Sequence, residues 1–169
     1  MQLLVSSRPA RIGLAGLAVA LLGFYLYTVF LIWRADWLQD GLSQQSLQAS
    51  AELEPWDART HWLLGRYLLQ ADQDPSRALG PLHRAVELDT YEGHYWLDLA
   101  VAYYERGNSS QSRVALEHAL RTEPTSPAIA WEAANLYLAQ NDVRSALPLF
   151  RVAVQHDPKK TDAALDLCW

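Results

Sequence analysis

The chain has 169 residues, half of them hydrophobic and a fifth charged. That allows one modest domain with an appendage and argues against disorder. The 14 Lys and Arg residues against 19 Asp and Glu give a net charge of -5; only Arg8 and Arg11 fall within residues 1–33, so the remainder carries 12 basic and 19 acidic groups, a net of -7. Such an acidic surface repels phosphate backbones and speaks against nucleic acid as a partner, and the lone Cys168 excludes an internal disulfide, cysteine-rich metal motifs and C-x-x-C-H haem attachment.

Residues 1–11 form a short N-terminal tail. The uncharged stretch IGLAGLAVALLGFYLYTVFLIW follows, from Ile12 to Trp33. As a helix it spans about 33 Å, enough for a hydrocarbon core of roughly 30 Å. A buried core helix of this length would normally show one polar face, and this stretch shows none. A cleavable signal peptide has an apolar region of only ~7–15 residues. AVA at 18–20 resembles a cleavage site, but uncharged, mostly apolar residues continue to Trp33. An uncleaved single-pass transmembrane helix over 12–33 is the expectation. Arg8, Arg11 and the amino terminus precede it, against Arg34 with Asp36 and Asp40 after it, which favours a cytoplasmic N-terminus. Trp33 and Trp37 suit an interfacial aromatic belt. Gly13, Gly16, Ala20 and Gly23 share one helix face, and Gly16-x-x-x-Ala20 permits close approach of a second membrane helix. Glycine and alanine are also simply common in such spans.

Residues 34–56 read as a connecting helical segment, with a break expected at Asp40-Gly41. From residue 57 the chain repeats itself about every 34 residues. Leu99 matches Ala133, Ala100 matches Ala134, Tyr103 matches Tyr137, Leu116 matches Phe150, Ala119 matches Ala153, and Pro124 matches Pro158. The preceding unit aligns through Leu64, Gly65, Leu68, Ala78, Leu82 and Ala85, with one extra residue in its central turn and Thr90 in place of proline. Small residues at 65, 78, 85, 100, 119, 134, 146 and 153 let paired helices approach, and bulky ones between them fill the volume. Gly107-Asn108 and Asn141-Asp142 supply turns, Asp74-Pro75 an N-cap with proline at the first helical position, and Ser109, Ser110 and Ser112 further capping candidates. Pro55, Pro124 and Pro158 end helices. Pro81 and Pro148, in the second turn of their helices, are expected to bend them toward solvent.

These positions resemble the tetratricopeptide repeat (TPR) family. Leu99-Ala100, Tyr103, Leu116, Ala119 and Pro124 meet its pattern in the second unit, with Ser112 where alanine is usual. Ala134, Tyr137, Ala146, Phe150, Ala153 and Pro158 meet it in the third. The resemblance covers residues 57–169. It implies an all-α fold: a helix-turn-helix superhelix, or α-solenoid, of about three repeats (57–90, 91–124 and 125–158) with partial ends, preceded by the transmembrane helix. WLQDGLSQQSLQASAELEP (37–55) resembles the back half of a repeat through Leu47, Ser50, Leu53 and Pro55, so it would cap the array. Residues 159–169 begin a further repeat or capping helix. A chain ending Leu167-Cys168-Trp169 exposes an apolar terminus, so either it is a fragment of a longer protein, which is the expectation, or the stub docks on a partner.

The resemblance further implies a groove lined by the first helix of each repeat. Carried over residue by residue, it comprises Arg59, Trp62, Leu63, Arg66 and Leu69 from the first unit. The second supplies His94, Leu97, Asp98, Val101, Tyr104 and Glu105, and the third Trp131, Glu132, Asn135 and Leu138. Chaperone-binding members clamp a terminal carboxylate with Lys and Asn. Here Trp62, Leu97 and Trp131 stand at the lysine positions and only Asn135 is shared, so that reading is rejected. The groove suits an extended or helical peptide with apolar anchors, with Asp98, Glu105 and Glu132 on one part and Arg59 and Arg66 on another. Trp62 and Trp131 equally suit contact with the next repeat of the same chain.

No catalytic residue set stands out. His61, His83, His94, His118 and His156 are dispersed with no metal spacing, and no nucleophile-elbow, dinucleotide or phosphate-loop motif occurs. No metal, cofactor or small-molecule substrate is expected, and no enzymatic activity. The expected function is a membrane-anchored adaptor that binds membrane or envelope proteins at a bacterial-type cell envelope. The bilayer holds the anchor, and the repeats face the periplasmic side of the inner membrane. The alternative is an accessory subunit of a large respiratory, photosynthetic or transport complex, held mainly through its transmembrane helix.

Overall fold

The computed structural model describes the backbone of residues 8–39 and 44–157 and the side chains of 16–34 and 44–157. The described residues form eight helices and no strand. The chain divides into two units, Met1–Glu54 and Pro55–Trp169.

In the first unit, α1 (Arg8–Gln39) is one continuous helix of 32 residues. It carries the uncharged stretch and runs on beyond Trp33. Gly16–Arg34 is long and apolar enough to cross a membrane by length and composition, with a mean hydropathy of 2.0, and none of it is buried. Leu17, Phe24, Leu26, Phe30 and Trp33 all face outward. Thr28 hydroxyl donates 2.7 Å to Tyr25 carbonyl oxygen, so this polar group is satisfied within the helix. A Cβ added at Gly16 or Gly23 would meet nothing within 4 Å. The second helix, α2 (Gln44–Leu53), buries Leu47, Ser50 and Ala51. The expected break at Asp40-Gly41 lies outside the described residues, as do Pro158 and residues 159–169.

The second unit is built from three helix pairs: α3 (Ala58–Gln70) with α4 (Pro75–Leu88), α5 (Gly93–Glu105) with α6 (Ser109–Thr122), and α7 (Pro127–Ala139) with α8 (Val143–His156). The recurring small and bulky residues meet inside each pair. Ala78, Leu82, Ala85, Ala100, Leu116, Ala119, Ala134, Ala146 and Ala153 are fully buried. At Gly65 the two helices approach closely: a Cβ there would lie 2.5 Å from Leu82 Cγ and 3.2 Å from Leu82 backbone nitrogen. That is why glycine stands where the later repeats carry alanine.

The turns inside the pairs share one device. The residue before each second-helix N-cap takes a positive φ: Gln73 (51°), Gly107 (75°) and Asn141 (60°). The following backbone N–H then reaches back to the first helix, Asn108 to Tyr103 oxygen at 2.9 Å and Asp142 to Tyr137 oxygen at 2.9 Å, as in a Schellman closure. In the first pair the extra residue lengthens the span, and Asp74 N–H reaches Leu68 oxygen at 2.9 Å. Asp74, Asn108 and Asp142 are the N-caps, accepting from Arg77, Gln111 and Ser145 N–H groups. The serines expected to cap α6 do not. Ser110 Oγ instead supports Asn108 Oδ1 at 2.9 Å, and Ser112 is fully buried, where it accepts from Gln140 Nε2 at 3.0 Å. Asparagine wins because Ser112 sits at a small-residue packing position in the first turn. Both α4 and α8 run as unbroken helices through Pro81 and Pro148.

Candidate protein-binding groove

Successive pairs stack so that α3 touches α5 and α5 touches α7, while α4, α6 and α8 stand apart from one another. The first helices therefore line the tighter, inner side of the array. Two clefts open on this side. One, of about 610 Å³, is bounded by Leu69, Gln70, Gln73, Asp98, Val101, Glu105 and Glu132. The other, of about 340 Å³, is bounded by Arg59, Trp62, Arg66, Glu92, His94 and Tyr95.

Asp98 stands in the wall of the larger cleft. Trp62 Nε1 donates to its Oδ2 at 2.6 Å, joining the first repeat to the second. Burial pushes the Asp98 carboxyl above its usual range. The Glu132 carboxylate adds to the rise, while the Trp62 hydrogen bond and the Arg66 guanidinium oppose it. Arg66 lies 5.1 Å from the Trp62 ring centroid, and the same indole packs against Tyr95 with centroids 5.4 Å apart. Burial, with the Glu92 and Asp89 carboxylates, also raises the Tyr95 phenol. Glu105 and Glu132 are exposed at the rim, and neither has an ion-pair partner among the described residues.

The expected groove residues divide three ways. Arg59, Arg66, Glu105 and Glu132 are exposed, and Leu63, His94, Asp98, Val101, Asn135 and Leu138 are half-buried on first-helix surfaces. Leu69 is buried, yet borders the larger cleft. Leu97 is 2% exposed and belongs to the core, not to a binding surface. As the middle first helix, α5 has neighbours on both flanks as well as its own partner, so little of it stays uncovered.

The three aromatic anchors are committed to the chain itself. Trp62 is held by Asp98 and Tyr95, and Trp131 sets its ring edge against Phe150 at 5.2 Å and 75°. Tyr104 donates its phenol proton to Ala139 carbonyl oxygen at 2.9 Å, closing the end of α7. What the clefts present instead is charge, amide and aliphatic surface. Gln70, Gln73, Glu92 and Tyr95 are cleft residues that sequence reasoning missed. Signals pointed to two of them: Gln73 lies in the one-residue-longer turn, and Glu92 is in phase with the N-caps Asp57 and Ser126. Among the described residues no group of three or more His, Cys, Asp and Glu side chains is placed to hold a metal ion. The arrangement offers hydrogen bonds, charge and apolar contact.

No family model matches the sequence, and no curated protein matches it. Solved structures do. TTC0263, a thermophilic TPR protein in Thermus thermophilus, is 23% identical with a TM-score of 0.64, over 80% of this chain and 77% of that one. YrrB, a TPR protein with an unusual peptide-binding site, is 17% identical with a TM-score of 0.62, over 75% and 64%. MamA is 21% identical with a TM-score of 0.58, over 70% and 69%. At these identities the likeness is one of fold, and the repeat array has the all-helical tetratricopeptide-repeat fold.

Proposed function

We propose that this protein is a non-enzymatic, membrane-tethered scaffold that holds a partner protein on the inner face of its repeat array. The observation that carries the reading is the larger cleft: about 610 Å³, formed by α3, α5 and α7, with aliphatic Leu69 and Val101 beside carboxylates and amides. Surfaces of this mixed kind suit a peptide segment with one or two apolar anchors. The fold it shares with YrrB, a TPR protein with a peptide-binding site, supports the same use. The outward-facing apolar surface of Gly16–Arg34 supports a bilayer anchor, because an uncovered helix of that composition is stable only in an apolar medium. The charge bias around the span supports a cytoplasmic N-terminus, with the array on the periplasmic side of an inner membrane and envelope proteins as its partners. Tethering raises the effective concentration of such partners, so a shallow groove suffices.

A second reading, an accessory subunit gripped through its membrane helix, is favoured by the open surface at Gly16 and Gly23. Mild-detergent co-purification from the native membrane separates the two. Val101→Trp fills the cleft without altering charge, and Gly16→Leu roughens the helix face. The scaffold reading expects partner capture to survive Gly16→Leu and to fall at least tenfold with Val101→Trp, a loss of roughly 1.4 kcal/mol or more. The opposite pattern sinks it.

A further inference from the structure

The outer faces of the second helices are not alike. On α6 this face carries Arg113, Val114 and Glu117, and Arg113 pairs with Asp142 at 2.9 Å. On α4, Arg84 pairs with Glu87 at 3.3 Å. On α8 the equivalent face carries Arg144, Leu147, Pro148, Arg151 and Val152, with no acidic residue. Leu147 is 49% exposed, and neither Arg144 nor Arg151 has an ion-pair partner among the described residues. A following repeat would not cover this face, because Ser110, Val114 and Glu117 of α6 remain exposed although α7 and α8 follow them. An exposed apolar ridge flanked by two guanidiniums that pair with no carboxylate among the described residues, on a chain with a net charge of -5, is a surface built to meet carboxylates.

The same chain presents the complement. Asp98, Val101 and Glu105 follow one another on α5 at i, i+3 and i+7, with Glu132 beside them across the cleft. Arg144, Leu147 and Arg151 follow one another on α8 at the same spacing. In both sets an aliphatic side chain lies between two ionisable side chains about two helical turns apart. We infer that the α8 face of one copy docks into the α3–α5–α7 cleft of a second copy, setting Leu147 against Val101 and the two arginines against the acidic walls. The two surfaces are different patches, so the contact is heterologous and runs head to tail; it leaves one free cleft and one free α8 face at the ends of each chain of copies. Copies tethered in one membrane meet at raised effective concentration, which favours a contact of this modest size. A bound partner in the cleft would compete with it.

This inference rests on the cleft being a binding surface, but it names a different occupant, and its test reads contact between copies, not partner capture. Two fluorophore-labelled populations of the full chain in detergent micelles report association by energy transfer. The inference expects concentration-dependent transfer that falls as salt rises. Arg144→Glu with Arg151→Glu, and separately Glu105→Arg with Glu132→Arg, should each weaken association at least tenfold while leaving the helical circular-dichroism signal unchanged. A mixture of the two variants should recover it, because each then offers the other the opposite charge. Retention of association in either variant, failure of the mixture to recover it, or a wild-type chain that stays monomeric at all concentrations overturns the inference.

Discussion

Single side chains in this protein do their work by joining neighbours. Asp98 illustrates the tension between fold and site, since it ties α3 to α5 through Trp62 and also stands in a cleft wall. Its carboxyl titrates above the ordinary 3.8 in the folded state, so the native chain binds that proton more readily than the unfolded chain. Its contribution to stability is therefore greatest below pH 3.8 and falls as the pH rises through the folded value, leaving a penalty at neutral pH. Asn at 98 still accepts the Trp62 proton but carries no charge. Asp98→Asn should raise the thermal midpoint at pH 7, and the gain should shrink as the pH approaches 4; an equal or lower midpoint at pH 7 would contradict this account of the residue. Gly65 is the steric counterpart. A Cβ there already collides with Leu82 Cγ, so Gly65→Val should cost about 1–3 kcal/mol, read as a lowered midpoint in denaturant. Sequence alone marked Gly65 as a packing residue through its phase with Ala100 and Ala134. For Trp62 and Trp131 it left contact within the chain and contact with a partner equally open, and it did not reveal the bond from Tyr104 to Ala139, because each contact reaches a residue whose distance depends on how the helices stack.

At the scale of the helices, the 34-residue phase carried nearly all of the fold. Small residues recurring in register dictated where helices approach, and the positive-φ residues at Gly107 and Asn141 lie in the turns expected from Gly-Asn and Asn-Asp. The capping detail was less legible. An asparagine and three serines all stood near the start of α6, and only the structure shows that Asn108 caps it while Ser110 supports that asparagine and Ser112 is buried against Gln140. Asn108 holds Gln111 with both its amide atoms, accepting from the backbone N–H at 3.2 Å and donating to Oε1 at 2.6 Å. Asn108→Ala should therefore destabilise the array by about 1 kcal/mol, measured by urea unfolding, whereas Ser109→Ala should change little. Equal losses in the two variants would mean that the cap is shared. Leu97 was misplaced for a related reason: the pattern gives its phase on α5 but not that α5 is flanked on both sides.

The molecule combines an exposed apolar helix with an array whose inner side sets Glu105 and Glu132 at the rim of a cleft with no ion-pair partner among the described residues. Composition made the candidate membrane span visible, because a long uncharged run needs no tertiary information to recognise. The clefts were visible only in outline. The repeat phase marked the helix faces that border them and the division into acidic and basic parts, but their floors depend on which side chains turn inward. The central claim is that a protein partner is held on the inner face of the array. Its most direct measurement is site-specific photo-crosslinking of the full chain in native membranes, with the probe at Val101 in the cleft, at Glu87 on the outer face, or at Ala20 in α1. The account predicts a discrete adduct with a protein other than this chain from position 101, little from position 87, and loss of the adduct when Glu105 and Glu132 are both reversed to lysine. An adduct formed only from position 20, with none from position 101, would contradict it.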